Sequence, residues 1–188
     1  MKSFREKLKA RQATQKTELC VGLDPLPEKV PDCINKKGSL WGQVATQMIE
    51  IVDATAPYAS MFKPQKAHYE AILEGQKALQ AIVNHIHRKH PDIPVFLDCK
   101  RGDIDRTQQR YRIAHFDIDG VDGMNFSPYM GKDCMEQLID KDNLGRAIVG
   151  LCHTSNKSAR ETQDVKLADG RFYWEFMAET ILRWAEEL

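Results

Sequence analysis

The chain has 188 residues, of which 42% are hydrophobic and 29% charged, a composition that supports a packed core and excludes a disordered chain. Lys and Arg total 27, as do Asp and Glu, and this zero net charge argues against a nucleic-acid binder that relies on a broad basic field. The length excludes two full domains, so residues 1–188 are expected to form a single domain, complete or incomplete.

Two further features predict where the protein resides. No apolar run approaches the about 18 residues of a membrane span, and charged residues stand at the start of the chain where a signal peptide needs an apolar stretch. The five cysteines are an odd number and contain no Cys-x-x-Cys spacing. We interpret them as reduced thiols of a cytoplasmic protein without a membrane partner.

Apolar, β-branched segments alternate along the chain with longer segments of helical period, and this alternation is typical of βαβ units around a parallel sheet. Strands are predicted at 19–23, 59–62, 94–97, 121–126 and 147–152. Helices are predicted at 39–52, 72–86, 104–116, 134–138 and 173–188. The fold class is therefore α/β.

Five such units leave two architectures open. A barrel of eight βα units takes about 250 residues, with about 200 as a lower limit. The chain is either an open five-stranded sheet or a barrel that lacks its last three units, and periodicity does not choose between the two.

Charged side chains follow the first three predicted strands. Asp24 follows the first strand and Lys63 the second, while Asp98, Lys100 and Asp103 follow the third. The carboxyl ends of parallel strands are where functional groups gather, and residues i and i+2 of a strand share a face. A Lys held between two carboxylates keeps its proton. The pattern suits a reaction that needs a fixed proton donor beside a developing carbanion.

The segment from Asp98 to Thr107 resembles the Asp-x-Lys-x-x-Asp-Ile-x-x-Thr signature of the orotidine 5'-phosphate decarboxylases, which catalyse the last step of de novo UMP synthesis. The signature alone is moderately specific, because related sugar-phosphate enzymes share part of it. Four further motifs match in the family's order, at 21–25, 62–64, 127–131 and 152–156. Their form is similar to the bacterial long subgroup. The resemblance implies a (β/α)8 barrel, with about its first five βα units in this chain.

The resemblance also implies roles for the charged residues. Lys100 is expected to donate a proton to C6 of the pyrimidine, with Asp98 beside the departing carboxylate of orotidine 5'-monophosphate. Asp24 and Lys63 are expected to bind the ribose hydroxyls.

Four more residues match family positions. Asp103 and Thr107 are expected to reach into the site of a neighbouring subunit, so the resemblance implies a homodimer in which Asp103 is catalytic. Thr154 and Ser155 stand where the family recognises the pyrimidine. The family's reaction uses neither a metal nor an organic cofactor, and none is expected here.

The chain also departs from the family pattern. Family members continue through three more βα units, whose loops bind the substrate phosphate, and Lys157 stands where the subgroup usually has Pro. We therefore expect a sequence truncated at its C-terminal side, with weak UMP binding and poor catalysis by these 188 residues alone.

The motifs leave two other functions as alternatives. A sugar-phosphate decarboxylase or aldolase of the same barrel group would need a Mg²⁺ ligand set, and a non-catalytic relic would serve as a binding module.

His85, His87 and His90 lie close together near the end of a predicted helix. We interpret them as a solvated helix end rather than a metal site, because no carboxylate or cysteine spacing supports them.

Overall fold

A computed structural model describes residues 2–34, 38–140 and 145–188. Its five strands are β1 (Cys20–Leu23), β2 (Met61–Pro64), β3 (Phe96–Arg101), β4 (Gly123–Phe126) and β5 (Ala147–Gly150). Its helices are α1 (Phe4–Gln15), α2 (Leu40–Thr55), α3 (Lys66–Glu70), α4 (Gly75–Lys89), α5 (Asp105–Arg112), α6 (Lys132–Glu136), α7 (Ala159–Thr162) and α8 (Tyr173–Glu187). A π-helical turn (Ile113–Ile118) continues α5. Within these ranges, every helix is too short or too polar to cross a membrane.

The strands lie side by side in chain order, and every pairing is parallel. β1 pairs with β2, while β3 pairs with β4 and β4 with β5. Parallel bridges from Phe62 to Val95 and from Gln65 to Asp98 join the two groups across β2 and β3. An open doubly wound sheet reverses its strand order partway, whereas a barrel keeps it consecutive. The fold is therefore the first five βα units of a barrel, as the sequence resemblance predicts.

The core lies between the strands and the helices that connect them. α4 buries an apolar stripe at helical spacing, made of Ala78, Leu79, Ile82, Val83 and Ile86. The helix predicted at 72–86 is α4 (Gly75–Lys89), and the short helix α3 before it, from which a turn separates it, was not predicted. A Cβ at Gly75, the first residue of α4, would lie 2.0 Å from the carbonyl oxygen of Tyr69, so only glycine fits this turn.

The helix α1 was not predicted from the sequence. Ser3 and Glu6 form a capping box at its start, with Glu6 Oε2 accepting a hydrogen bond from the Ser3 amide at 2.7 Å. Buried Arg11 donates to the carbonyl oxygens of Ala56 and Ala59, just after α2. The helix therefore docks at the amino-terminal edge of the sheet, opposite the carboxyl ends of the strands.

Candidate active site

Neighbouring strand ends bring Lys63, Asp98 and Lys100 into contact. Asp98 Oδ1 accepts a hydrogen bond from Lys100 Nζ at 2.6 Å, and Asp98 Oδ2 lies 3.4 Å from Lys63 Nζ. The carboxylate is mostly buried, with 14% of its side chain exposed, while Lys100 is 48% exposed. One carboxylate therefore holds two ammonium groups, and Lys100 keeps access to the open end of the barrel.

Asp24 joins the same edge through the backbone. Its Oδ1 accepts a hydrogen bond from the Gln65 amide at 3.1 Å, and Gln65 forms the parallel bridge to Asp98. The structure thus gathers four of the five charged residues that the sequence placed at the first three strand ends.

The Asp98 carboxyl group remains ionised in this setting. Burial by itself would raise the pKa of Asp98, but hydrogen bonds from Lys100 and Asn125, with the nearby charge of Lys63, outweigh burial and hold that pKa below its ordinary value. A negative charge is therefore fixed beside the Lys100 ammonium at neutral pH.

The backbone conformation of Lys100 was not foreseen. Its φ is 48°, in the left-handed region that non-glycine residues rarely adopt, and the pairing of β3 with β4 is irregular between Leu97 and Arg101. The ordinary alternation of a strand therefore does not explain why Asp98 and Lys100 meet. Strain of this kind persists where surrounding groups hold it, and it gathers at functional sites.

Asn125 supplies the contacts that hold this segment. Its Oδ1 accepts hydrogen bonds from the amides of Cys99 at 2.9 Å and Lys100 at 2.7 Å. Its Nδ2 donates to Asp98 Oδ1 at 2.7 Å. Sequence reasoning missed this residue, although a polar side chain between Met124 and Phe126 in an apolar strand is a signal, because buried polar groups need partners.

Asp103 lies after this cluster rather than in it. Its Oδ1 accepts a hydrogen bond from the Ile104 amide at 2.8 Å, and in the described ranges its carboxylate forms no ion pair with Lys100. Thr107 is exposed on α5. The prediction that Lys100 lies between two carboxylates of its own chain therefore finds only Asp98 in contact.

Thr154 lies on a cavity of about 630 Å³ beyond β4 and β5. Its amide donates to Gln163 Oε1 at 2.7 Å, and Gln163, which sequence reasoning missed, also lines the cavity. Apolar and hydroxyl-bearing residues make up most of the wall, among them Ser127, Tyr129, Leu151, Val165, Tyr173 and Met177. Ser155 lies on a neighbouring, more open concavity of about 420 Å³ that Thr154 also lines. The two residues are adjacent but face partly different spaces.

The chain matches a known protein family over most of its length. The model of the orotidine 5'-phosphate decarboxylase / HUMPS family matches residues 17–178. The chain belongs to this family. Two relatives named orotidine 5'-phosphate decarboxylase match almost the whole chain. The one from Janthinobacterium sp. (strain Marseille) is 36% identical and the one from Cupriavidus necator is 37% identical, over 95% and 94% of this chain.

A solved family structure shows the same fold. Leishmania donovani OMP decarboxylase superposes on 94% of this chain with a TM-score of 0.79 at 30% sequence identity. The chain spans 64% of that structure, and 64% and 62% of the two sequence relatives. The described charged cluster lies within the part of the family that this chain shares.

Proposed function

We propose that the complete protein decarboxylates orotidine 5'-monophosphate to UMP in pyrimidine biosynthesis. The observation that carries the proposal is the contact series Lys63–Asp98–Lys100, which joins the family motif at 62–64 to the signature at 98–107. Incubating the complete protein with orotidine 5'-monophosphate and measuring UMP formation tests the proposal. A folded protein that forms no UMP would instead support the non-catalytic relic.

The geometry suits a decarboxylation in which the charges are placed before the substrate arrives. The bond between C6 and the substrate carboxylate breaks, its electron pair remains on C6, and Lys100 Nζ supplies the proton that completes UMP. Asp98 lies against the departing carboxylate, and the repulsion between the two negative charges is relieved as CO₂ leaves. Fixed charges of this kind lower a barrier because they require no reorganisation during the reaction.

The remaining site residues are assigned to substrate binding. Asp24 and Lys63 lie beside Asp98 and would bind the ribose hydroxyls. Thr154, held by Gln163, and Ser155 would recognise the pyrimidine at the mouth of the cavity beyond β5.

The active unit is proposed to be a homodimer in which Asp103 and Thr107 complete the neighbouring site. The exposure of Thr107, and the contact of Lys100 with Asp98 rather than Asp103, support this arrangement. The protein is further proposed to act in the cytoplasm, because its five cysteines, including exposed Cys33, are all free thiols, which suits a reducing compartment.

Subunit mixing tests the shared site. Lys100→Ala and Asp103→Asn should each inactivate the homodimer, but a hybrid dimer has one site that carries both native residues. Mixing the two variants under conditions that exchange subunits should therefore restore activity toward a quarter of the parent value, since half the dimers are hybrids with one intact site each. Mixing Lys100→Ala with Asp98→Asn, which damage the same site, is the matched control and should restore none. Equal recovery in both mixtures would contradict the shared site.

Chelation separates the proposed function from the sugar-phosphate alternative. Turnover of orotidine 5'-monophosphate should be unchanged after EDTA treatment, because the proposed chemistry uses only side-chain charges. A loss of turnover that added Mg²⁺ restores would favour the Mg²⁺-dependent alternative.

A further inference from the structure

Two histidines at the end of α4 meet an aspartate of α2. His85 Nε2 lies 2.8 Å from Asp53 Oδ1, and His90 Nε2 lies 3.1 Å from the same oxygen. His87 instead contacts Asp122, at 2.9 Å. The prediction of a solvated helix end is therefore wrong. The carboxylate that sequence spacing did not reveal comes from a helix more than thirty residues earlier.

This cluster lies away from the candidate active site. Asp53 stands in the last turns of α2, and His85 and His90 stand at the end of α4. Since β2 and β3 follow these helices, the cluster lies at the amino-terminal edge of the sheet, whereas Asp98 and Lys100 lie at its carboxyl edge.

The three ligand atoms have the spacing of a metal site. All of them lie within 4.8 Å of one another. Tetrahedral Zn²⁺ with bonds of about 2.0–2.1 Å to its ligands holds ligand atoms about 3.3 Å apart. The observed oxygen-to-nitrogen distances of 2.8 and 3.1 Å need to open by only a few tenths of an ångström. His85 is 12% exposed and Asp53 is 28% exposed, so solvent can still reach a bound ion.

The two helix ends favour a cation. The negative ends of two helix dipoles, those of α2 and α4, point toward this edge, and positive charge is stabilised there. Lys89 Nζ donates to Asp53 Oδ2 at 2.6 Å, and both imidazoles contact the other oxygen, Oδ1. The carboxylate is therefore available as an anionic ligand.

We propose that Asp53, His85 and His90 form a binding site for a divalent transition metal ion that joins the ends of α2 and α4. Two imidazoles and one carboxylate suit Zn²⁺, Co²⁺ or Ni²⁺, whereas Mg²⁺ and Ca²⁺ prefer all-oxygen sites. Water completes the coordination, as in other sites with three protein ligands. The role is structural, because the site lies at the opposite edge from the reacting groups, and bound metal stabilises the folded state by mass action.

Metal titration of the untagged, metal-free complete protein tests the proposal. Calorimetry with Zn²⁺ should give one site per chain, and Zn²⁺ should raise the melting temperature while Mg²⁺ does not. Co²⁺ binding should give visible bands without the thiolate charge-transfer absorption that the five cysteines would produce. Cobalt absorption of thiolate type would place the metal on the cysteines and overturn the proposal.

Matched variants locate the ion. His85→Gln, His90→Gln and Asp53→Asn each remove one ligand and should weaken Zn²⁺ binding beyond the about 10- to 100-fold that the loss of an outer hydrogen-bond partner costs. His87→Gln, on the same helix but in contact with Asp122, should bind Zn²⁺ as the parent does. Each variant is measured with and without metal, so a general loss of stability does not affect the comparison of Zn²⁺ affinities. Parent-like affinity in the three ligand variants, or no stoichiometric binding by the parent, would overturn the proposal.

Discussion

Replacing Lys100 with alanine in the complete protein should abolish the decarboxylation of orotidine 5'-monophosphate with little loss of stability. Lys100 is half exposed and forms its one described ion pair with Asp98, so its removal leaves the apolar core unchanged. In the mechanism proposed above, the variant loses both the proton donor and the positive charge beside C6. General acid catalysis alone contributes about 10²- to 10⁴-fold. We therefore expect a fall in kcat of at least about 10²-fold, measured as UMP formation.

A second variant separates proton donation from charge. Lys100→Arg keeps a positive charge near Asp98, but a guanidinium does not release its proton in proteins. It should therefore be severely impaired as well. Lys77→Ala, which removes an exposed lysine paired with Glu74 on α4, is the control and should keep parent activity. Turnover by Lys100→Ala within tenfold of the parent would exclude Lys100 as the proton donor. Asp98→Ala should also be severely impaired, because in the proposed mechanism it removes the negative charge that faces the substrate carboxylate.

Replacing Asn125 with alanine should lower kcat by about ten- to hundredfold, with a smaller change in KM. The substitution leaves the amides of Cys99 and Lys100 without their acceptor and Asp98 without one donor. Unsatisfied buried polar groups cost about 1–3 kcal/mol each. The hydrogen bonds from these amides to Asn125 hold the left-handed backbone of Lys100. Their loss should therefore displace the ammonium group from its position beside Asp98 and lower kcat. Asn84→Ala, an exposed position of α4, is the control for the loss of an amide side chain.

The pH profile distinguishes positioning from a purely structural role. In the parent, the lowered pKa of Asp98 keeps this carboxylate ionised down to acidic pH. Activity should therefore fall only when the pH drops below the ordinary pKa of an aspartate. Asn125→Asp keeps an acceptor for both amides but replaces the donor to Asp98 with a like charge, which raises the pKa of Asp98. The acid limb of kcat/KM should therefore move to higher pH, and activity should partly recover as the pH rises. A profile of parent shape at uniformly lower activity would contradict this role.

Sequence patterns alone predict the order of the strands and the identity of most charged site residues. Alternating apolar segments placed all five strands within a few residues of their observed bounds, because burial on both faces of a parallel sheet requires continuous apolar runs. The positions of Asp24, Lys63, Asp98 and Lys100 after strands were enough to expect them together, since parallel strands end at one edge.

The helix α1 and the contacts between distant elements required the tertiary structure. α1 carries no apolar stripe that predicts a helix, and it is held by Arg11 bonding to carbonyl oxygens that lie more than forty residues further along the chain. Strand periodicity also failed to predict the left-handed backbone of Lys100.

The same limit explains the two polar clusters that were missed or misread. In the sequence, Asn125 is one polar residue in a weakly predicted strand. In the structure, β4 lies beside β3, and the Asn125 amide contacts Asp98 and the backbone of Lys100. From the sequence, His85 and His90 are predicted to lie at a solvated helix end. In the structure, α4 packs on α2, and Asp53 lies within hydrogen-bond distance of both histidines. The sequence pattern encodes which face of an element is buried. The partner that a polar group finds on another element depends on how elements distant in the chain pack together, and periodicity carries no information about that packing.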